Sequence, residues 1–276
     1  MKKSALLATL LLSGATLATT IGGTVAFAAE GGTTQSKGTV SFVAGVTQPP
    51  TIVDPGNPPE IIDPIKPPTG QSGPLSIDFA SDLMFGEQEI SSNDKTYYAH
   101  PTGFDTDGDK STIEDYTVDF VQVSDLRGSF AGWTLSVAQD AQFHLPGVTT
   151  SEATANVGDY LTGATLNFSG GHVVAGTVST PEVNAAKPSQ VKGDSFAVSS
   201  AATTVVGAKV NEGMGKWSYA FGQKSDYDAI SGDVAAADKS VAKKSPITLQ
   251  VPGSTAKKAG VYETTLTWTL SDTPAV

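Results

Sequence analysis

Residues 132–138 read Gly-Trp-Thr-Leu-Ser-Val-Ala, and residues 264–270 read Thr-Thr-Leu-Thr-Trp-Thr-Leu. Residues two apart in an extended chain face the same way, so Trp133, Leu135 and Val137 form one apolar row and Leu266, Trp268 and Leu270 another. Thr134 and Thr269 then face the opposite side. Each stretch predicts a strand with one apolar and one polar face.

The same pattern recurs from about Pro74 onward, between clusters of Gly, Asn, Asp, Ser and Pro, while helical 3.6-residue stripes are nearly absent. Further strands are expected at 75–79, 116–123, 142–145, 160–168, 172–180, 195–198, 204–210, 216–221 and 247–251, and the distal one at 260–270. About ten short strands with regular turn signals imply an all-β fold, an antiparallel sandwich or barrel-like domain with long loops. The Ala-rich stretch 227–244 is interrupted by Ser231-Gly232 and predicts a loop with one helical turn.

Ahead of Pro74 the composition changes. Residues 48–73 carry Pro at 49, 50, 55, 58, 59, 64, 67 and 68. Each Pro fixes φ and removes a ladder donor, so an extended spacer is expected. Before it, Val40, Phe42, Ala44 and Val46 alternate as a short strand that needs a partner. Met1-Lys2-Lys3, the uncharged stretch from Ser4 and the small-residue site Ala26-Phe27-Ala28 read as a secretory signal peptide. The expected organisation is a signal peptide at 1–28, a short strand and spacer at 29–73, and a β domain at 74–276.

Export bounds the chemistry. The chain has no cysteine, so neither disulfides nor a lipoprotein anchor are available, and stability must come from an ordinary core. Loss of Lys2 and Lys3 with the leader takes the net charge from −11 to −13. An acidic surface argues against nucleic acid and against anionic polymers as purely electrostatic partners. No later stretch reaches the roughly 18 apolar residues of a membrane span. Leu145-Pro146-Gly147-Val148-Thr149 only echoes a sortase site, lying mid-chain in the wrong order, so attachment to a cell surface would be non-covalent.

Chemistry-bearing motifs are sparse. His100, His144 and His172 are the only histidines, and there is no Gly-x-Ser-x-Gly elbow, zinc signature or phosphate loop, so a non-enzyme is expected. Carboxylate pairs for glycoside hydrolysis meet only in three dimensions. Asp105-Thr106-Asp107-Gly108-Asp109 begins like a calcium loop, but Lys110 and Tyr116 occupy positions that need Gly and Glu, so a solvated acidic loop is expected. No cofactor or metal is implied. Trp217, Tyr219 and Phe221 alternate as an aromatic row, either core or a glycan-stacking face. The two Trp-Thr-Leu rows pose the same choice, because alternation does not say whether an apolar row meets a core or a partner.

The two motifs resemble the proximal and distal signatures of the WxL domain of wall-associated proteins in Gram-positive bacteria. The distal one is Tyr262 to Leu270, with Leu266, Trp268, Thr269 and Leu270 at its end and Pro274 soon after. The proximal one is Trp133-Thr134-Leu135-Ser136-Val137, followed by Gln142-Phe143. The similarity extends to Gly73-Pro74-Leu75-Ser76-Ile77-Asp78-Phe79, Phe85-Gly86 and Tyr97-Tyr98-Ala99, nearly the whole exported chain. The resemblance implies peptidoglycan binding at the cell surface. It also implies a complex with other WxL-locus surface proteins, among them a membrane-anchored WxL-interacting protein. It would place binding on Trp133, Thr134, Leu135, Tyr262, Leu266, Trp268, Thr269 and Leu270. Pairing with a wall-anchored partner by β-augmentation, through 40–46 or 262–270, and adhesion to host matrix are the alternatives.

Overall fold

The computed structural model describes residues 35–45, 51–66 and 70–276; the expected signal peptide and Val46 lie outside them. The first strands are β1 (Ile52–Val53), β2 (Ile61–Pro64), β3 (Leu75–Ala80), β4 (Lys95–Tyr98), β5 (Thr102–Asp105) and β6 (Thr112–Ile113). Next come β7 (Asp115–Thr117), β8 (Phe120–Asp125), β9 (Trp133–Gln139), β10 (Thr165–Ser169), β11 (Gly171–Ala175) and β12 (Ser189–Gln190). The last are β13 (Ser195–Ala197), β14 (Thr203–Ala208), β15 (Gly215–Phe221), β16 (Gly232–Asp233), β17 (Ile247–Val251) and β18 (Leu266–Ser271). The fold is all-β, as the alternation implied, and its strand pairs are antiparallel.

Three four-stranded sheets enclose the main core: β11-β15-β8-β3, β12-β14-β9-β18 and β13-β10-β17-β4. Each sends in one alternating row. Trp217, Tyr219 and Phe221 come from β15, Trp133, Leu135 and Val137 from β9, and Leu166 and Phe168 from β10. The aromatic row of β15 is therefore core, with Phe168 and Phe221 ring centroids 4.8 Å apart.

The sheet containing β8 is covered on both faces. Its other side meets a fourth sheet, β1-β2-β5-β7, across a second core of Ile52, Ile62, Phe79, Phe104, Val118, Phe120, Ala220 and Tyr227. A register shift in β3 between Ile77 and Phe79 switches faces: Ile77 packs on the main core and Phe79 in the second. A network of buried polar groups ties the layers together, as burial requires. Asp78 accepts from Ser76 Oγ (3.0 Å), Ser124 Oγ (2.5 Å) and Gln122 Nε2 (2.9 Å). Gln122 in turn accepts from Val53 N at 2.8 Å and donates to Thr51 O at 3.0 Å, fastening the β1–β2 hairpin to β8.

That hairpin departs from the expected spacer. Ile52, Val53 and Ile62 are buried. Proline confines the chain to extended φ but does not stop a two-stranded edge from packing, and the isoleucines between the prolines supply the apolar face. Residues 35–45 form no strand, so the strand expected at 38–46 is absent from its described part.

Other elements differ in extent. Residues 142–145 form only isolated bridges, from His144 to Tyr160 and Glu263. The distal strand starts at Leu266, not Gly260. Within 227–244 there is one helical turn, α2 (Val234–Ala237), capped where Asp233 accepts from Ala236 N at 3.1 Å. A second turn, α1 (Pro181–Ala185), falls in the stretch after β11.

The acidic loop is ion-paired rather than simply solvated. Lys110 Nζ lies 2.6 Å from Asp63 Oδ1 and 3.0 Å from Asp105 Oδ2, and donates to the carbonyls of Asp63 and Pro64 at 3.1 Å. It holds the Asp105 carboxyl below its ordinary pKa. The residue that breaks the calcium pattern thus supplies the loop's positive charge.

Candidate functional site

The two Trp-Thr-Leu motifs, about half the chain apart, lie side by side. β9 and β18 pair with Trp268 opposite Val137, Leu270 opposite Leu135 and Ser271 opposite Thr134. Side chains alternate faces identically on paired strands, so both apolar rows point into the main core and both Thr residues point out.

The rows differ in depth because of their place in the sheet. β9 is flanked by β14 and β18, whereas β18 ends the sheet. Trp133 is 1% exposed, and its Nε1–H donates to Gly213 O at 2.9 Å. Gly213 sits at φ +78°, and an added Cβ would strike the indole, so glycine there answers both the turn and the tryptophan. Leu135 and Val137 are equally buried. Leu266, Trp268 and Leu270 are only half-buried, with the Trp268 ring edge-on to Phe168 at 6.4 Å. Tyr262 is also half-buried; its hydroxyl donates to Gly158 O at 2.6 Å and accepts from Lys258 N at 2.8 Å, tying two loops together. The motif's inward residues are thus framework first, and the alternatives that periodicity left open resolve differently for its two tryptophans.

Two surfaces remain. The first is the outer face of the sheet bearing both motifs. Thr204, Ser136 and Thr269 lie in register across β14, β9 and β18, with 3.0 Å between the Ser136 and Thr204 hydroxyls. Thr134 follows on the same face, and Thr267 Oγ1 donates to Asp140 Oδ1 at 2.8 Å. At the strand spacing of roughly 4.8 Å this makes an uncharged row of groups that both donate and accept. Only Thr134 and Thr269 of this face were singled out from the motifs. Ser136 and Thr204 were missed because their alignment depends on a pairing between distant segments.

The second surface is a groove of about 360 Å³ where β18 approaches β3, lined by Leu266, Trp268, Ile77 and Phe79 and bordered by Asp82, His100 and Asp238. Asp238 is 3.8 Å from Lys66 Nζ. His100 Nε2 meets Ser240 O at 2.9 Å and Ser240 Oγ at 3.4 Å, which superficially resembles a nucleophile and its base. The arrangement lacks the rest of that machinery. Nδ1 of His100 is buried without a partner, so no acid orients the ring, and Ser240 Oγ donates to Ala237 O at 2.8 Å. Among the described residues, no group of three His, Asp or Glu side chains is placed to hold a metal.

No curated protein and no solved structure matches the chain. A family match does, under the description "WxL domain surface cell wall-binding", and it spans residues 29–274. It takes in both motifs, the hairpin and all three sheets around the main core. On that extent the chain belongs to the WxL domain family of surface cell-wall-binding proteins.

Proposed function

We propose that the protein is a non-covalent peptidoglycan-binding surface protein and that it meets the wall through the hydroxyl-lined outer face of the β14-β9-β18 sheet. The observation that carries the proposal is the pairing of the two motifs, which turns their threonines onto one face with Ser136 and Thr204 between and beside them. Hydroxyls in register suit a neutral glycan or peptide amide, both rich in complementary donors and acceptors. A net charge of −11 makes attraction to an anionic polymer a poor alternative.

A second reading, a subunit that pairs with a wall-anchored partner such as a membrane-anchored WxL-interacting protein, is favoured by the unpaired edge of β18. No feature of the site favours host matrix. Sacculi stripped of protein separate the two readings: co-sedimentation of the purified protein with them supports direct wall binding. Binding only to unstripped envelopes would replace it with the partner reading.

A further inference from the structure

Two parts of the chain lack the partner their chemistry calls for. β18 pairs with β9 along its length, and among the described residues no strand pairs with its other edge. Of its half-buried row, Leu266 and Trp268 line the groove. The facing edge of β3 is partly taken, since Gln71 N donates to Ile77 O at 3.2 Å. An unpaired edge backed by an apolar row is a template for one more strand.

The second part is residues 39–45, Thr-Val-Ser-Phe-Val-Ala-Gly. Val40, Phe42 and Ala44 alternate as a strand would, yet Phe42 is 89% and Val43 88% exposed. Its one backbone bond of those described runs from Gly45 N to Leu126 O at 2.9 Å. Such a run of exposed apolar, β-favouring residues signals an unmet contact.

Charge selects what could bring the two together. The chain carries a net charge of −11, so copies repel over most of their surface. Residues 39–45 and Leu266–Ser271 contain no charged side chain. We propose that residues 39–45 of one copy add as a strand to the free edge of β18 in a second copy. Val40 and Phe42 then cover the groove beside Trp268, and Ser41 lies on the outer face beside Thr269. Reciprocal addition closes a dimer, and one-way addition builds a chain of copies. A seven-residue strand buries much less than the roughly 1,600 Å² of a standard interface, so the association is weak and concentration on a surface favours it. The proposal gives the edge of β18 to a second copy in place of a wall-anchored partner, and it is independent of the wall component bound.

The absence of cysteine makes the test clean. Ser41→Cys and Thr269→Cys are made in separate chains, both at exposed positions, then mixed under mild oxidation. The expected result is a mixed disulfide dimer, several-fold above the amount formed when Phe42→Asp is added to the Ser41→Cys chain. The unmodified protein should also show a concentration-dependent rise in sedimentation mass that Val40→Asp/Phe42→Asp abolishes at unchanged Tm. A mixed-dimer yield equal to the Phe42→Asp control overturns the proposal. So does a chain bearing both cysteines that closes only on itself and stays monomeric. Sacculus binding of the Val40→Asp/Phe42→Asp variant reports separately on the wall reading.

Discussion

Replacing each motif tryptophan by alanine should separate two residues that the sequence presents as equivalents. Trp133 lies opposite Ala208 of β14 and against the glycine turn, 1% exposed, with its indole N–H satisfied by Gly213 O. Trp133→Ala removes the largest fully buried side chain and leaves that carbonyl without its partner, which costs about 3–5 kcal/mol. Against a typical stability of about 5–15 kcal/mol this is a large fraction, and it lowers Tm by roughly 6–20 °C for a domain of this size. Trp268 lies opposite Val137 and edge-on to Phe168, but among the described residues no strand pairs with the other edge of β18, and its ring lines the groove. Trp268→Ala should therefore cost about half as much, roughly 1.5–2.5 kcal/mol. Urea titrations followed by circular dichroism, with shared m-values, give both numbers. A loss below about 1 kcal/mol at Trp133, or equal losses at the two positions, would refute the placement of one motif in the core and the other at its rim.

Three further outcomes follow from the buried polar groups. Burial of Asp119 raises its carboxyl well above the ordinary value, and among the described residues no cation pairs with it. A raised folded-state pKa contributes stability that is complete below the unfolded carboxylate pKa and is lost as pH rises through the folded one. Asp119→Asn, which keeps an oxygen for Thr102 Oγ1, should therefore raise Tm at pH 7 and do little at pH 3.5; an equal change at both pH values contradicts this. Gln122→Ala removes the partner of Val53 N and one of the two donors to Thr51 O, so amide exchange in the β1–β2 hairpin should accelerate at least tenfold while β9 stays protected; uniform acceleration would mean the hairpin is not a separable layer. Because the Lys110 ammonium already occupies the space between Asp63 and Asp105, Tm should be indifferent to millimolar calcium in the native chain; a calcium-dependent rise would show the loop to be a metal site after all.

The strands legible in the sequence are those whose inward row alternates without interruption. β9, β15 and β17 begin and end within a residue or so of expectation, because Trp133-Leu135-Val137, Trp217-Tyr219-Phe221 and Ile247-Leu249-Val251 leave one face to bury. β8 was merged with β7 because it is covered on both faces and its polar residues, Gln122 and Ser124, are buried too. In the hairpin the prolines outweigh the isoleucines and the stretch reads as a spacer, since nothing local announces that Gln122, some 70 residues on, binds its backbone. Family membership was legible from the motifs and their flanks. The outer hydroxyl row was not, since it exists only once β14, β9 and β18 are in register.

Recognition of the wall by that row is open to a triple substitution. Ser136→Ala/Thr204→Val/Thr269→Val removes three outward hydroxyls with little change in strand preference or core volume. At about 0.5–1.5 kcal/mol per hydrogen bond, its affinity for protein-stripped sacculi should fall by tenfold or more, with Tm within a few degrees of the native protein. Undiminished binding by the folded triple variant would contradict the assignment of the wall contact to this face.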